Sequence, residues 1–175
     1  NFLLENNNEF KFIILRYFNV AGADKNLRSG QISKRSTHLI KVLSEVIVGK
    51  RDHIEIYGNN YNTHDGTAIR DYIHVEDLIS GHESALNYID NKKGYYVWNL
   101  GSGKGYSVLD VIEETKKVSG NNFCVVEKDR RKGDPPSLVA NCEKLKNIFS
   151  WVPKRNALNS IILDALNWEK SLLNK

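Results

Sequence analysis

The sequence contains no methionine and only two cysteines among its 175 residues. Because translation normally begins with methionine, the absence predicts that Asn1 is not the natural start and that the chain is processed or part of something longer. Cys124 and Cys142 form no Cys-x-x-Cys pair, no Asn-x-Ser/Thr acceptor occurs, and no signal peptide is evident at this N-terminus. A reducing, cytoplasmic setting is the simplest reading. Long apolar runs are missing too: the best, Leu39 to Val48, is interrupted by Lys41, Ser44 and Glu45, so no membrane span is expected. Charge of one sign is nowhere concentrated. The 25 Lys and Arg against 21 Asp and Glu leave +4, scattered in pairs such as Lys34-Arg35, Lys50-Arg51 and Lys92-Lys93, which does not favour a nucleic acid partner. The five histidines show neither an HExxH nor a Cys/His cluster, so no metal is expected. No Ser/His/Asp set can be assembled.

What is present describes an ordinary globular chain, with 41% hydrophobic and 26% charged residues. At this length one domain buries roughly 70% of its unfolded surface. Phe12 to Phe18 is a continuous apolar run of strand type, suited to a strand covered on both faces. Asn19 to Ser36, rich in Gly, Asn, Lys and Ser, reads as a long loop. Leu39 to Ile47 repeats at helical spacing, and Gly49 ends the pattern. Strands are then expected at Ile54–Tyr57, Ala68–Val75, Tyr95–Leu100 and Phe123–Val126. Helices are expected at Glu76–Ile89, from Ser107 to Val118, at Glu143–Phe149 and at Leu158–Leu173. Ser107 with Asp110 three residues on resembles a capping box. Alternation of this kind predicts an α/β architecture.

Three segments carry candidate chemistry. Gly101-Ser-Gly-Lys-Gly105 lies between a strand and a helix, where backbone N–H groups can meet a phosphate. Its spacing matches neither a dinucleotide fingerprint nor a P-loop, so a plain strand-to-helix turn is the reading. Asp65 to His74 carries Arg70 and Asp71 side by side within a strand-like segment. An inward arginine must be paired, and from spacing alone a structural carboxylate is favoured over an anionic ligand. Arg130-Arg-Lys-Gly-Asp134 is either a solvated basic face or a bend that aims one guanidinium inward.

In combination these segments resemble a known family. Leu15-Arg-Tyr-Phe-Asn-Val-Ala-Gly22, Thr37-His-Leu-Ile40, Ile56-Tyr-Gly58, the string from Asp65 to Leu78, Trp98-Asn-Leu-Gly-Ser-Gly103, Ser107-Val-Leu-Asp110 and Arg131-Lys-Gly-Asp134 occur in the order seen in UDP-glucose 4-epimerases. These belong to the extended short-chain dehydrogenase/reductase superfamily, and the resemblance covers essentially the whole chain. It implies the late part of a Rossmann-type parallel sheet plus the smaller C-terminal α/β domain that binds a UDP-sugar. Residues 1–22 would hold a late Rossmann helix end and strand, and 23–175 mainly the substrate domain, with about 68–100 returning to the Rossmann sheet.

The family's glycine-rich loop and its Tyr-x-x-x-Lys pair, which precede the equivalent of this chain, are not found before Leu15 or in the first 20 residues. The resemblance therefore implies the C-terminal half of an enzyme of galactose and nucleotide-sugar metabolism. That enzyme interconverts UDP-glucose and UDP-galactose through a 4-keto intermediate with bound NAD, held mainly by the other half. The chain alone would hold no catalytic residue and would be inactive. A homodimer of the full-length parent is compatible with the resemblance. Tyr17 and Phe18 would lie by the nicotinamide end of NAD and Asn19 would reach the sugar diphosphate. His38 and Leu39 would lie beside the substrate. Glu55, Ile56 and Tyr57 match the uracil-binding strand, with backbone groups pairing with the base and the ring packing nearby. Arg70 and Arg131 would clamp the diphosphate, Asp134 would accept from the ribose hydroxyls, and Leu138 would stand near the sugar 2-substituent. Two alternatives stay open: a related UDP-sugar epimerase or decarboxylase, and a non-catalytic UDP-binding module or remnant.

Overall fold

Successive side chains of a strand point to opposite faces, and the segment Ile69-Arg-Asp-Tyr-Ile-His74 uses that rule to divide the molecule. In the computed structural model, which describes residues 11–90, 92 and 94–174, this segment is strand β4 (Ile69–His74). Tyr72 joins one apolar core and Ile73 the other. Arg70 shares the face of Tyr72 and lines a cavity with it, whereas Asp71 turns the other way and is fully buried.

The remaining strands pair around this one or beside it. β1 (Phe12–Tyr17) runs parallel to β5 (Tyr95–Leu100), and β2 (Asn19–Ala21) runs parallel to β4. β3 (His53–Tyr57) runs parallel to β7 (Cys124–Lys128). β6 (Gly105–Ser107) joins β4 antiparallel, and the two-residue β8 (Ser137–Leu138) joins it parallel. Helices α1 (Leu39–Ile47), α2 (Val75–Ile89), α3 (Val108–Ser119), α4 (Glu143–Phe149) and α5 (Leu158–Ser171) alternate with them, and a 3-10 turn covers Leu172–Asn174. The α/β class follows as the alternation predicts. Two expectations are corrected. β1 is not covered on both faces, since Ile14 is 39% and Tyr17 56% exposed. The segment from Asn19 to Ser36 does not begin as loop, because Asn19–Ala21 finds a partner in β4 more than fifty residues away. Three residues are too few to show a period of two, and the same shortness hid β6 and β8.

The helices keep to their local signals. Ser107 Oγ accepts from the Asp110 N–H at 2.9 Å while the Asp110 carboxylate accepts from the Ser107 N–H at 2.9 Å, so the capping box of α3 is complete. Gly120, at φ 72°, closes its other end in the left-handed region open to glycine. Ile40, Leu43, Ile54, Ile56, Ile112, Ile161 and Ile162 build the first core between α1, β3, α3 and α5. Trp98, Leu100, Leu145 and Trp151 build the second, against which Tyr88, Tyr96 and Phe149 pack edge-to-face or stacked.

Ionic contacts fix α5. Glu169, 1% exposed, receives Lys41 and, at 2.8 Å, Lys50. Burial alone would raise its carboxyl, and the two ammonium groups overcome this and hold it below the usual range. Asp164 binds Arg155 and the buried His74, whose Nε2 lies 3.1 Å away. Among the described residues no helix is long and apolar enough to cross a membrane.

Candidate functional site

Two depressions meet at Asn19 and Arg70, which line both. The larger is a cavity of about 750 Å³. Its walls include three elements whose sequence patterns explain what they present, beside residues of β2 and α5. β3 alternates, so Ile54 and Ile56 go to the core, Ile54 also reaching the cavity wall, while Glu55 and Tyr57 line the cavity. β4 presents Arg70 and Tyr72. The first turn of α1 presents His38, Leu39 and Ile40, and the His38 side chain makes no capping hydrogen bond, which leaves that helix end without the usual side-chain partner for its free N–H groups. The loop before β8 adds Arg131 and Asp134.

The two arginines are held by different means. Arg70, 14% exposed at its side chain, donates from Nη1 to the carbonyl of Ile69 at 2.7 Å and from Nη2 to Asp134 at 2.5 Å. Arg131 lies with its guanidinium 3.8 Å from the Tyr57 ring centroid. The Tyr57 hydroxyl donates to Glu55 at 2.5 Å and holds that carboxyl below the usual range. Burial pushes the Tyr72 phenol up, so it stays protonated at neutral pH. Asn19 Nδ2 donates to the carbonyl of Asp71 at 3.0 Å, fixing its amide at the junction of the two depressions.

The second depression is shallower and is lined by Arg16, Tyr17, Phe18, Asn19, Arg70, Asn99 and Leu138. Of the residues singled out from the sequence, Asn19, His38, Leu39, Glu55, Tyr57, Arg70, Arg131 and Asp134 gather in the cavity, and Tyr17, Phe18 and Leu138 in the second depression. Ile56 lies apart: its side chain is 3% exposed in the first core, so only its backbone is left for a ligand. Arg16 and Asn99 were not singled out. They face each other in register across β1 and β5, and the signal was available as one polar residue inside each apolar run.

The Gly101 turn is occupied by a protein anion. Ser102 N–H and Oγ, Gly103 N–H and Ala140 N–H all donate to the Asp71 carboxylate, at 2.9, 2.6, 2.9 and 3.1 Å. Its amides are therefore not a free phosphate cradle, in keeping with the plain-turn reading. His64, Asp65 and Asp110 bring ligand-type atoms within 4.8 Å of one another, but the two carboxylates already serve Ser107 and Thr67 at the start of α3.

Comparison with known proteins gives a consistent picture. The model of the NAD dependent epimerase/dehydratase family matches residues 3–101. UDP-glucose 4-epimerase from Azospirillum brasilense is 46% identical over 160 residues, covering 91% of this chain and 46% of that protein. The protein of the same name from Halalkalibacterium halodurans is 43% identical, covering 91% of this chain and 48% of its own length. The fold superposes on UDP-glucose 4-epimerase from Bifidobacterium longum in complex with NAD+ and UDP, with a TM-score of 0.91 and 34% identity, over 99% of this chain and 51% of that one. The UDP-Glc/GlcNAc 4-epimerase from Campylobacter jejuni is 48% identical with a TM-score of 0.78, over 95% of this chain and 50% of that one. The chain spans about half the length of the curated relatives it matches.

Proposed function

Because this chain belongs to the NAD dependent epimerase/dehydratase family, we propose that it is the UDP-sugar-binding, C-terminal part of a UDP-glucose 4-epimerase. The observation that carries the reading is one cavity onto which two arginines and an uncapped helix end converge, at positions where the motif resemblance places a diphosphate. Guanidinium forks suit phosphate oxygens because their paired N–H groups match the spacing of two acceptors, and a helix N-terminus adds a favourable partial charge.

In this reading Arg70 and Arg131 hold the diphosphate and Asp134 accepts from the ribose hydroxyls. Asn19, His38 and Leu39 flank the diphosphate and sugar. The backbone of Glu55, Ile56 and Tyr57 faces the base, and Leu138 borders the sugar in the second depression. Binding energy from the nucleotide, which does not react, holds the sugar where it does. Residues 11–22, with about 68–90 and 94–100, are read as the Rossmann-type part and the rest mainly as the substrate domain, and the helix end expected within residues 1–10 lies outside the described residues.

NAD, when bound, supplies hydride exchange at carbon 4 of the sugar. The residues of this chain that fit its nicotinamide end are Tyr17 and Phe18 beside the second depression. Among the described residues the glycine-rich turn that follows β5 is filled by Asp71, so its amides offer NAD no phosphate cradle and the contribution read here is ring contacts.

The test is calorimetry of the 175-residue chain with UDP and with inorganic pyrophosphate, alongside an epimerisation assay of the full-length parent on a panel of UDP-sugars. UDP binding to the chain and UDP-glucose/UDP-galactose interconversion by the parent are the expected results. A parent that turns over only other UDP-sugars favours the related-enzyme alternative, and a chain that ignores UDP overturns the site.

A further inference from the structure

Leu138 borders the second depression with 47% of its surface exposed, and it belongs to neither core. A side chain without a packed bed takes its position from its backbone. That backbone is a strand of only two residues, entered where the Ile69 N–H donates to the Pro136 carbonyl at 2.8 Å. Beyond Val139, three successive residues are fastened to β4 or to the end of β5. The Ala140 N–H donates to Asp71 Oδ2 at 3.1 Å, Asn99 Nδ2 donates to the Asn141 carbonyl at 3.1 Å, and Cys142 Sγ donates to the Gly101 carbonyl at 3.5 Å.

Asp71 supplies its share of this fastening from the interior. It is fully buried and lines neither depression, and its carboxylate is divided: Oδ1 takes Ser102, while Oδ2 takes Gly103 and Ala140. The turn lies so close behind that a Cβ on Gly101 would stand 2.5 Å from the Ala140 Cβ and 2.8 Å from Asp71 Oδ2. The chain after Leu138 therefore has no room to settle inward, and its bond to Asp71 opposes movement outward. A wall excludes a bulky group only if it cannot retreat, and a displacement of about 1 Å at a positioned contact can change a rate about a hundredfold.

We infer that Asp71 is a positioning residue for substrate choice. Through Ala140 it fixes the backbone that carries Leu138, and with Asn99 beside it sets the room left at the sugar 2-substituent, which the motif resemblance places there. The inference rests on the reading of the cavity and the second depression as a UDP-sugar site, and in it Asp71 touches no part of the ligand.

Calorimetry of the full-length parent with UDP, UDP-glucose and UDP-N-acetylglucosamine reads the effect as the ratio of the two sugar nucleotides' dissociation constants. Asp71→Ala removes the acceptor of Ala140, and Asn99→Asp keeps its bulk in the depression but cannot donate to Asn141. Each is expected to shift the ratio about fivefold toward the N-acetylated ligand while leaving UDP within about twofold. Neither is expected to shift it once Leu138→Ala has removed the wall, because both act through that side chain. A merely structural role weakens all three ligands alike. An unmoved ratio in either folded variant, or a shift that persists beside Leu138→Ala, overturns the inference. Circular dichroism checks folding, and if Asp71→Ala does not fold, Asn99→Asp with and without Leu138→Ala decides. A parent that binds neither UDP nor the sugar nucleotides fails the reading of the site and takes this inference with it, whereas UDP binding with an unmoved ratio removes this inference alone.

Discussion

Ser102 donates twice to one oxygen of Asp71, from its N–H at 2.9 Å and its hydroxyl at 2.6 Å. The second oxygen takes the N–H groups of Gly103 and Ala140. Asp71 is fully buried and no cation pairs with it among the described residues. Hydrogen bonds to a charged group are each worth about 1.5–3 kcal/mol, and four of them stand in for the lost water. Asp71→Asn puts an amide where only acceptors fit, so about 3 kcal/mol of stability should be lost in urea denaturation. Ser102→Ala, which keeps the backbone donor, should lose about half as much.

Arg70→Ala and Arg131→Ala should each weaken UDP by roughly 1.5–3 kcal/mol in calorimetry. Arg70→Ala also releases Asp134 from its ion pair. The double variant Arg70→Ala/Asp134→Ala should therefore bind UDP better than the sum of its single losses requires.

His74 gives the fold a dependence on pH. Burial, followed by the nearby Arg155 charge, holds its imidazole below the usual 6.5, against the opposing hydrogen bond that it donates to Asp164. The unfolded chain then takes up a proton at higher pH than the folded one, so the contribution is complete above about pH 6.5 and is lost as pH falls below it. Melting temperatures followed from about pH 7.5 to 5.5 should decline. In His74→Asn the slope over that window should flatten, although the starting value is lower.

The chain by itself should not epimerise UDP-galactose. Its one Tyr-x-x-x-Lys spacing is Tyr88 and Lys92, and Tyr88 packs in the second core 5.1 Å from Phe149 and 5.4 Å from Trp98, ring to ring. Tyr88 is half-buried and lines neither depression, so it cannot serve as the base for a sugar in either. Conversion of UDP-galactose to UDP-glucose by the purified 175-residue chain, above a buffer blank, would refute this.

What could be read from the sequence was what is local. The box of Ser107 and Asp110, the periodicity of Leu39 to Ile47 and the strand of Tyr95 to Leu100 depend on neighbours within a few residues, and all three formed. β2, β6 and β8 depend on β4, and nothing within three residues announces a distant partner. The structural carboxylate that spacing favours for Arg70 exists, but it is Asp134, 64 positions away, a residue the motif resemblance assigns to the ligand. Arg16 and Asn99 passed unnoticed because each lies in an apolar run, and only the register of β1 against β5 makes them one feature.

The alternation of β4 has an evolutionary corollary. Arg70 and Asp71 are covalent neighbours, yet the first meets the cavity and the second locks the Gly101 turn on the opposite side. Selection can retune ligand affinity at one position without touching the scaffold, and can adjust the scaffold at the next without touching the cavity. Insertions and deletions enjoy no such freedom. Removing a single residue from this strand would present a carboxylate to the cavity and turn a guanidinium toward the amides of the Gly101 turn, so a change of length here disturbs both sides at once where a change of side chain disturbs one.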